Sequence, residues 1–235
     1  MNKESIYILE DRGIIYISGT DTFDYLQNII SNDLEKVTDV QSCFSYLLTP
    51  QGKYLFEFII VKHKSGYFLD CPKYQIENLY KQLTLYKLRS KVEITNLSNE
   101  FVVAALSKDK FSEFEKNSNK IGMTIKFRED PVILDPRCIN LGARIVINLE
   151  KLYLTAKKLN LKISNINEYY QLSHSLGVPN SATENFQNKI FGLETNSEEL
   201  NAIDFKKGCY VGQENTARMK LKEKISRRLY PVEII

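Results

Sequence analysis

The sequence predicts an α+β protein built from mixed, largely antiparallel sheets with packed helices. Short runs rich in Ile, Val, Tyr and Phe recur along the 235 residues, bounded by Gly, Pro, Asn and Ser. Two of these runs face each other across Lys64-Ser65-Gly66 as a hairpin. Between the runs lie stretches with apolar residues at helical spacing, the clearest being Pro72 to Leu88. Strands and helices that alternate over short connections describe sheets covered by helices.

Ile14 to Ile17 is a β-rich run ended by Ser18-Gly19. Thr20 or Asp21 then caps a helix in which Phe23, Leu26 and Ile29 or Ile30 recur. Cys43 to Leu48 reads as a strand, closed by the turn Thr49-Pro50-Gln51-Gly52. Tyr54 to Lys62 and Tyr67 to Cys71 form the hairpin. Pro72 opens a helix with Ile76, Leu79, Tyr80 and Leu83 at i, i+3, i+4 and i+7. Lys91 to Asn96, Phe101 to Leu106, Met123 to Phe127 and Ile145 to Leu149 are strands, and Lys108 to Lys120 is polar and helix-compatible. Asn165 to Leu176 is a helix with Ile166, Tyr169 or Tyr170, and Leu176 on one face, ended by Gly177-Val178-Pro179. After Arg218, basic residues alternate with Met219, Leu221 and Ile225, which suits an edge strand or a loop facing an anion. A further strand begins at Arg228.

Hydrophobic content of 43% and charged content of 26% are those of a soluble globular protein. A net charge of +3 is too small to argue for nucleic acid or a membrane surface as partner. Cys43, Cys71, Cys138 and Cys209 form no C-x-x-C pair, a pattern of a reducing compartment rather than a disulfide framework. His63 and His174 lie far apart, so no metal-ligand cluster is visible. Met1 to Arg12 has no apolar h-region, and the run Tyr54 to Val61 is broken by Glu57 and too short to span a bilayer. A cytoplasmic protein is expected.

Lys206 to Arg218 concentrates the unusual residue types. Gly208 and Gly212 bracket Cys209, Tyr210 and Val211, and Gln213 and Glu214 follow at once. Glycines at this spacing allow positive φ or close approach to another surface. Lys206 and Lys207 make the neighbourhood of Cys209 electropositive, which favours a thiolate. A plain strand-turn-helix joint with a buried Cys explains the same residues. For Arg137 and Arg144 the choice lies between two-point contact with an anion and turn arginines that satisfy nearby carbonyls.

The string Lys207-Gly208-Cys209-Tyr210-Val211-Gly212-Gln213-Glu214 resembles the signature of the YgfZ-type folate-binding proteins. That family includes mitochondrial relatives that support iron–sulfur cluster assembly, and it shares its fold with the T-protein of the glycine cleavage system. Other stretches resemble it too: Gly19-x-Asp21-x-x-x-Tyr25-Leu26-Gln27 with Asn32-Asp33, and Leu48-Thr49-Pro50-Gln51-Gly52-Lys53. Asp135-Pro136-Arg137 with Leu141-Gly142-Ala143-Arg144, and Tyr169 with Gly177-Val178-Pro179, do so as well. Two positions depart: Glu57 stands where relatives have Asp, and Ser173 where they commonly have Arg.

The resemblance implies a T-protein/YgfZ-like body over residues 1–215, with 46–130 inserted in a discontinuous first domain. Residues 216–235 would be the remnant of a C-terminal barrel that is mostly missing. It implies tetrahydrofolate, or a one-carbon derivative, as cofactor, held by Glu57, Arg137, Arg144, Lys207, Tyr210, Gln213 and Glu214, with Cys209 in the catalytic place. The implied role is an accessory protein for iron–sulfur cluster assembly or repair in client enzymes, tRNA-modifying ones included. Its partners would be a folate and the client or assembly proteins. An aminomethyltransferase-like one-carbon enzyme and a ligand-free scaffold are the alternatives. T-proteins usually carry Asp at the place of Cys209 and Arg or Lys at that of Gln213, which favours the YgfZ type. Since the sequence places neither His63 nor His174 near Cys209 as a base, a non-catalytic folate-binding protein is expected over a folate-dependent one-carbon transferase.

Overall fold

Side-chain alternation along the strands decides the architecture. A computed structural model describes residues 1–115, 120–180, 183–222 and 225–232. Its strands are β1 (Ser5–Ile8), β2 (Arg12–Ser18), β3 (Cys43–Leu48), β4 (Tyr54–His63), β5 (Gly66–Pro72), β6 (Glu93–Asn96) and β7 (Phe101–Leu106). They continue with β8 (Thr124–Phe127), β9 (Asp130–Leu134), β10 (Ala143–Asn148) and β11 (Lys162–Ile163). The helices are α1 (Thr22–Ile29), α2 (Ile76–Lys87), α3 (Lys108–Phe114), α4 (Leu152–Lys158), α5 (Ile166–Ser175) and α6 (Gln213–Leu221). One sheet has the order β11-β1-β7-β10-β9-β8, the other β3-β4-β5-β2-β6. Among the named pairings only β1–β11 is parallel. The α+β expectation holds.

In β4, Phe56, Phe58 and Ile60 face outward onto α1 and α2, where they meet Tyr25, Leu26, Leu79 and Leu83. Ile59 and Val61 face inward onto the other sheet, with Tyr7, Val103 and Val146. That second sheet turns Ala104, Leu106, Ile145 and Ile147 outward onto Phe111 of α3 and Leu152 of α4. The result is four layers, helix–sheet–sheet–helix, each interface filled by one face of a strand pattern of period two. The same parity sends Arg12, Glu57, Asp70 and Arg144 inward, between the sheets. Four charged residues on inward positions need one another.

Several elements differ from the reading of the sequence. β1, β9, β11 and α4 are elements the sequence patterns did not single out. Asp21 holds the N-cap position of α1, but its carboxylate makes no cap bond and accepts from the Lys91 amide at 2.7 Å instead. The polar helix ends at Phe114, and 116–119 lie outside the described residues. Residues 213–221 are helical, so the run from Arg218 to Leu221 is neither the edge strand nor the anion-facing loop expected there, because Thr216 and Met219 pack inward at i, i+3. Glu214 in the first turn and Arg218 and Lys220 in the last also suit the helix dipole. The strand expected from Arg228 is absent among the described residues 228–232. There the Asn196 amide takes both backbone groups of Leu229, donating to its carbonyl at 2.7 Å and accepting from its N–H at 3.2 Å.

Candidate functional site

Two groups of residues draw in the positions singled out from the sequence. The first lies between the sheets. Arg12 Nε donates to Asp70 Oδ1 at 2.6 Å, and Arg144 Nη1 to Asp70 Oδ2 at 2.7 Å. Arg144 Nε reaches Asp135 Oδ2 at 3.1 Å, while Arg137 grips the same carboxylate through Nε at 3.0 Å and Nη2 at 2.8 Å. The Tyr169 hydroxyl accepts from Arg144 at 2.7 Å and from Arg137 at 3.3 Å. Asn180 accepts the remaining Arg137 Nη1 at 3.0 Å and donates to the buried Ser173 hydroxyl. Three guanidinium groups and two carboxylates thus form one buried chain.

Burial alone would raise both aspartates. Arg12 and Arg144 hold Asp70, and Arg137 and Arg144 hold Asp135, below the ordinary carboxylate range. Glu57, 2% exposed, behaves oppositely. Burial keeps its carboxyl above the ordinary value, and the attraction of Arg12, Arg137 and Arg144 only partly offsets this. Its Oε1, Arg12 Nη1, Gln75 Oε1 and the Tyr54 hydroxyl are buried with no hydrogen-bond partner among the described residues. Each such atom carries a desolvation cost unless something donates or accepts there.

The second group is the loop around Cys209. Lys207 is buried, and its ammonium donates to the carbonyls of Gln27 at 2.7 Å, Ile30 at 2.8 Å and Asn32 at 2.9 Å. Burial lowers it to about 8. The Val211 amide donates to the Asn28 carbonyl at 3.2 Å. Tyr210 is buried beneath Lys207, whose Nζ lies 5.1 Å from the ring centroid, and burial pushes its hydroxyl up to about 12. Gly212 takes φ +86° and backs onto the Thr49 to Gly52 turn, where a Cβ would stand 2.5 Å from the Thr49 carbonyl oxygen. Gln213 closes the loop by donating to the Gly208 carbonyl at 3.3 Å. Cys209 itself is exposed, while Cys43 and Cys71 are buried and Cys138 is half-buried.

Glu57, Arg137 and Arg144 therefore share one centre, and Lys207, Cys209, Tyr210, Gln213 and Glu214 share another. Arg137 makes the two-point contact with an anion, but the anion is the internal Asp135 carboxylate, and Arg144 divides its nitrogens between Asp70, Asp135 and Tyr169. Lys207 has its three N–H groups on three carbonyls and points none at a ligand. Glu214 is exposed in the first turn of α6. A cleft of about 890 Å³ opens nearby, with Asn32, Cys43, Phe44, Ile203 and Phe205 in its walls, and it contains none of these eight residues.

Arg12, Asp70 and Asn32 were not singled out as binding or anchoring residues. A charged residue inside the apolar run Tyr67 to Cys71 was the available sign of a buried partner for Asp70. Nothing local marks Arg12. Ser173, at the place where Arg is common, packs in the buried interior on the Val178 carbonyl at 2.6 Å.

The chain is 27% identical over 257 residues to the iron-sulfur cluster assembly factor IBA57 homolog, mitochondrial, of Dictyostelium discoideum, covering 98% of this chain and 62% of that protein. It is 26% identical over 230 residues to the Neurospora crassa counterpart, covering 95% and 52%. With iron-sulfur cluster assembly factor IBA57, mitochondrial, of Homo sapiens it shares 25% over 244 residues, covering 97% and 65%. The chain spans less than two thirds of the length of these relatives. They are mitochondrial by name, which overturns the expectation of a cytoplasmic protein. Among solved structures, glycine cleavage system aminomethyltransferase T from Bartonella henselae superposes with a TM-score of 0.74 at 13% identity, covering 93% of this chain and 63% of that one. The likeness is one of fold. No family model matches.

Proposed function

We propose that this protein is an accessory factor in iron–sulfur cluster assembly, offering Cys209 as one thiolate to a cluster that a partner protein carries. The observation that carries this reading is the loop 207–213, in which side chains on both sides are anchored and the thiol alone is turned to solvent. Clusters take several thiolates. Among the described residues no three His, Cys, Asp or Glu side chains gather as a metal site, so the other ligands belong to the partner. Similarity to the IBA57 factors over nearly the whole chain supports the same reading. On deleting the protein from a cell, cluster-dependent enzymes should lose activity while cluster-free enzymes of the same compartment keep theirs. Unchanged activities of both would refute the proposal.

Tetrahydrofolate, or a one-carbon derivative, is the second part of the reading, after the YgfZ-type resemblance. The residues fit it in part. The buried Glu57 Oε1 lacks a donor and suits the amide and amino edge of a pteridine. Arg137 and Arg144 do not fit as contacts for a glutamate tail, because both are buried and every guanidinium nitrogen already donates to an internal acceptor. Their part is to hold Asp70, Asp135 and Tyr169 in place and to set positive charge near Glu57. When bound, the folate would supply one-carbon or redox chemistry. Calorimetric titration with tetrahydrofolate should give heat of binding that Glu57→Gln weakens; no heat with either protein would remove folate from the account.

A further inference from the structure

The two anchors of the thiol loop stand at equal distance from Cys209. Lys207 lies two residues before it and Val211 two residues after, and both land on the same structure, the end of α1. An α-helix leaves its last four carbonyls without intrahelical donors. α1 has no basic residue in its last turn to serve them. Lys207 takes the Gln27 carbonyl of α1 together with those of Ile30 and Asn32 just past its end, and Val211 takes the Asn28 carbonyl of α1. Cys209 is the apex of a five-residue bridge whose two feet rest on one helix terminus.

We infer that Lys207 is the positioning residue of Cys209, fastening the bridge to the end of α1 so that the thiol is held in one place. The inference rests on the proposed role of Cys209 as a cluster ligand. A shared cluster demands it, because metal–thiolate bonds have fixed length and direction and a mobile ligand must be ordered on each encounter. The two feet differ in strength. Val211 contributes one amide at 3.2 Å, whereas Lys207 contributes a cation at the negative end of the helix dipole and three short bonds, one to α1 itself and two to the chain that leaves it. An arginine could not replace it: a planar fork cannot place donors on three carbonyls that converge on one point. Asn32 extends the connection, since its side chain donates to the carbonyls of Phe44 and Asn201, both at 2.7 Å. The thiol is thereby referred to β3 and to the 201–205 segment as well as to α1.

The test compares amide hydrogen exchange in the full-length wild type and Lys207→Met, which keeps the length of the side chain and removes its donors. Exchange over 206–212 should speed up by about tenfold or more, with the β4–β5 hairpin unchanged. In cells lacking the protein, Lys207→Met should leave cluster-dependent enzymes as inactive as Cys209→Ser does, although the thiol is present. Unchanged exchange in the loop, or acceleration of the hairpin to the same extent, would overturn the inference. Should Lys207→Met fail to fold, Lys207→Gln, with two N–H donors and no charge, carries the same comparison. If Cys209→Ser alone supports full enzyme activity, the proposed function fails, and the exchange data still decide whether Lys207 fastens the loop.

Discussion

Gly212 and Gly52 sit back to back: a Cβ on Gly52 would lie 3.2 Å from the Gly212 carbonyl oxygen, and a Cβ on Gly212 would lie 3.2 Å from the Gly52 Cα. Two stretches far apart in sequence, the turn after β3 and the start of α6, approach backbone to backbone. Asn215 Nδ2 adds a bond to the Gln51 carbonyl at 3.0 Å. Gly212→Ala forces a Cβ onto this contact at φ +86°, and should cost about 2 kcal/mol or more. A methyl group on Gly208 would have no described atom within 4 Å, so Gly208→Ala should stay within about 0.5 kcal/mol. Urea denaturation of the two variants checks the contrast.

Arg144 joins both buried carboxylates and Tyr169. Arg144→Met, close in volume, would leave Asp70 with one partner and Asp135 with Arg137 alone, and should destabilise by about 3–5 kcal/mol. Lys126→Met removes the exposed pair with Asp39 and should leave the melting temperature unchanged. Thermal melts of both variants make the comparison. Equal melting temperatures would show that the buried chain is not held by charge.

The pH dependence should divide by sign. Asp70 and Asp135 are held below the ordinary carboxylate value of 3.8, so their contribution is present above that value and is lost as pH falls beneath it. Glu57 is held above its ordinary 4.5, so the native state binds its proton more tightly than the unfolded chain does. Its contribution is present below 4.5 and is lost as pH rises through the folded value. Glu57→Gln, a permanent copy of the protonated form, should melt higher than wild type at pH 7, with the gap closing towards pH 4.5. A variant that melts lower than wild type at pH 7 would show that the Glu57 charge is needed to balance the arginines.

Period two made most of the strands legible, and the stripe Ile76, Leu79, Tyr80, Leu83 marked α2 because its face is covered by one sheet. The edge strand or anion-facing loop expected after Arg218 gives way to helix as far as Leu221, because alternating basic and apolar residues also satisfy a short helix that turns Thr216 and Met219 inward. The site was legible in part. Cys209 and its glycines were visible as a motif, but the direction of Lys207 was not, since its three acceptors lie 175 to 180 residues away. For the same reason, Arg137 and Arg144 looked available: Asp70 and Arg12 enter their centre only once the paired strands β2 and β5 face β10 across the two sheets.

The measurement that bears most directly on the account is complementation by Cys209→Ser in cells that lack the protein. Cys209 is exposed, so the serine variant should fold and accumulate as wild type does. Activity of a cluster-dependent enzyme, normalised to a cluster-free one, should remain at the level of the deletion, whereas wild type restores it. Full restoration by Cys209→Ser would contradict the account and leave the loop a joint between α1 and α6.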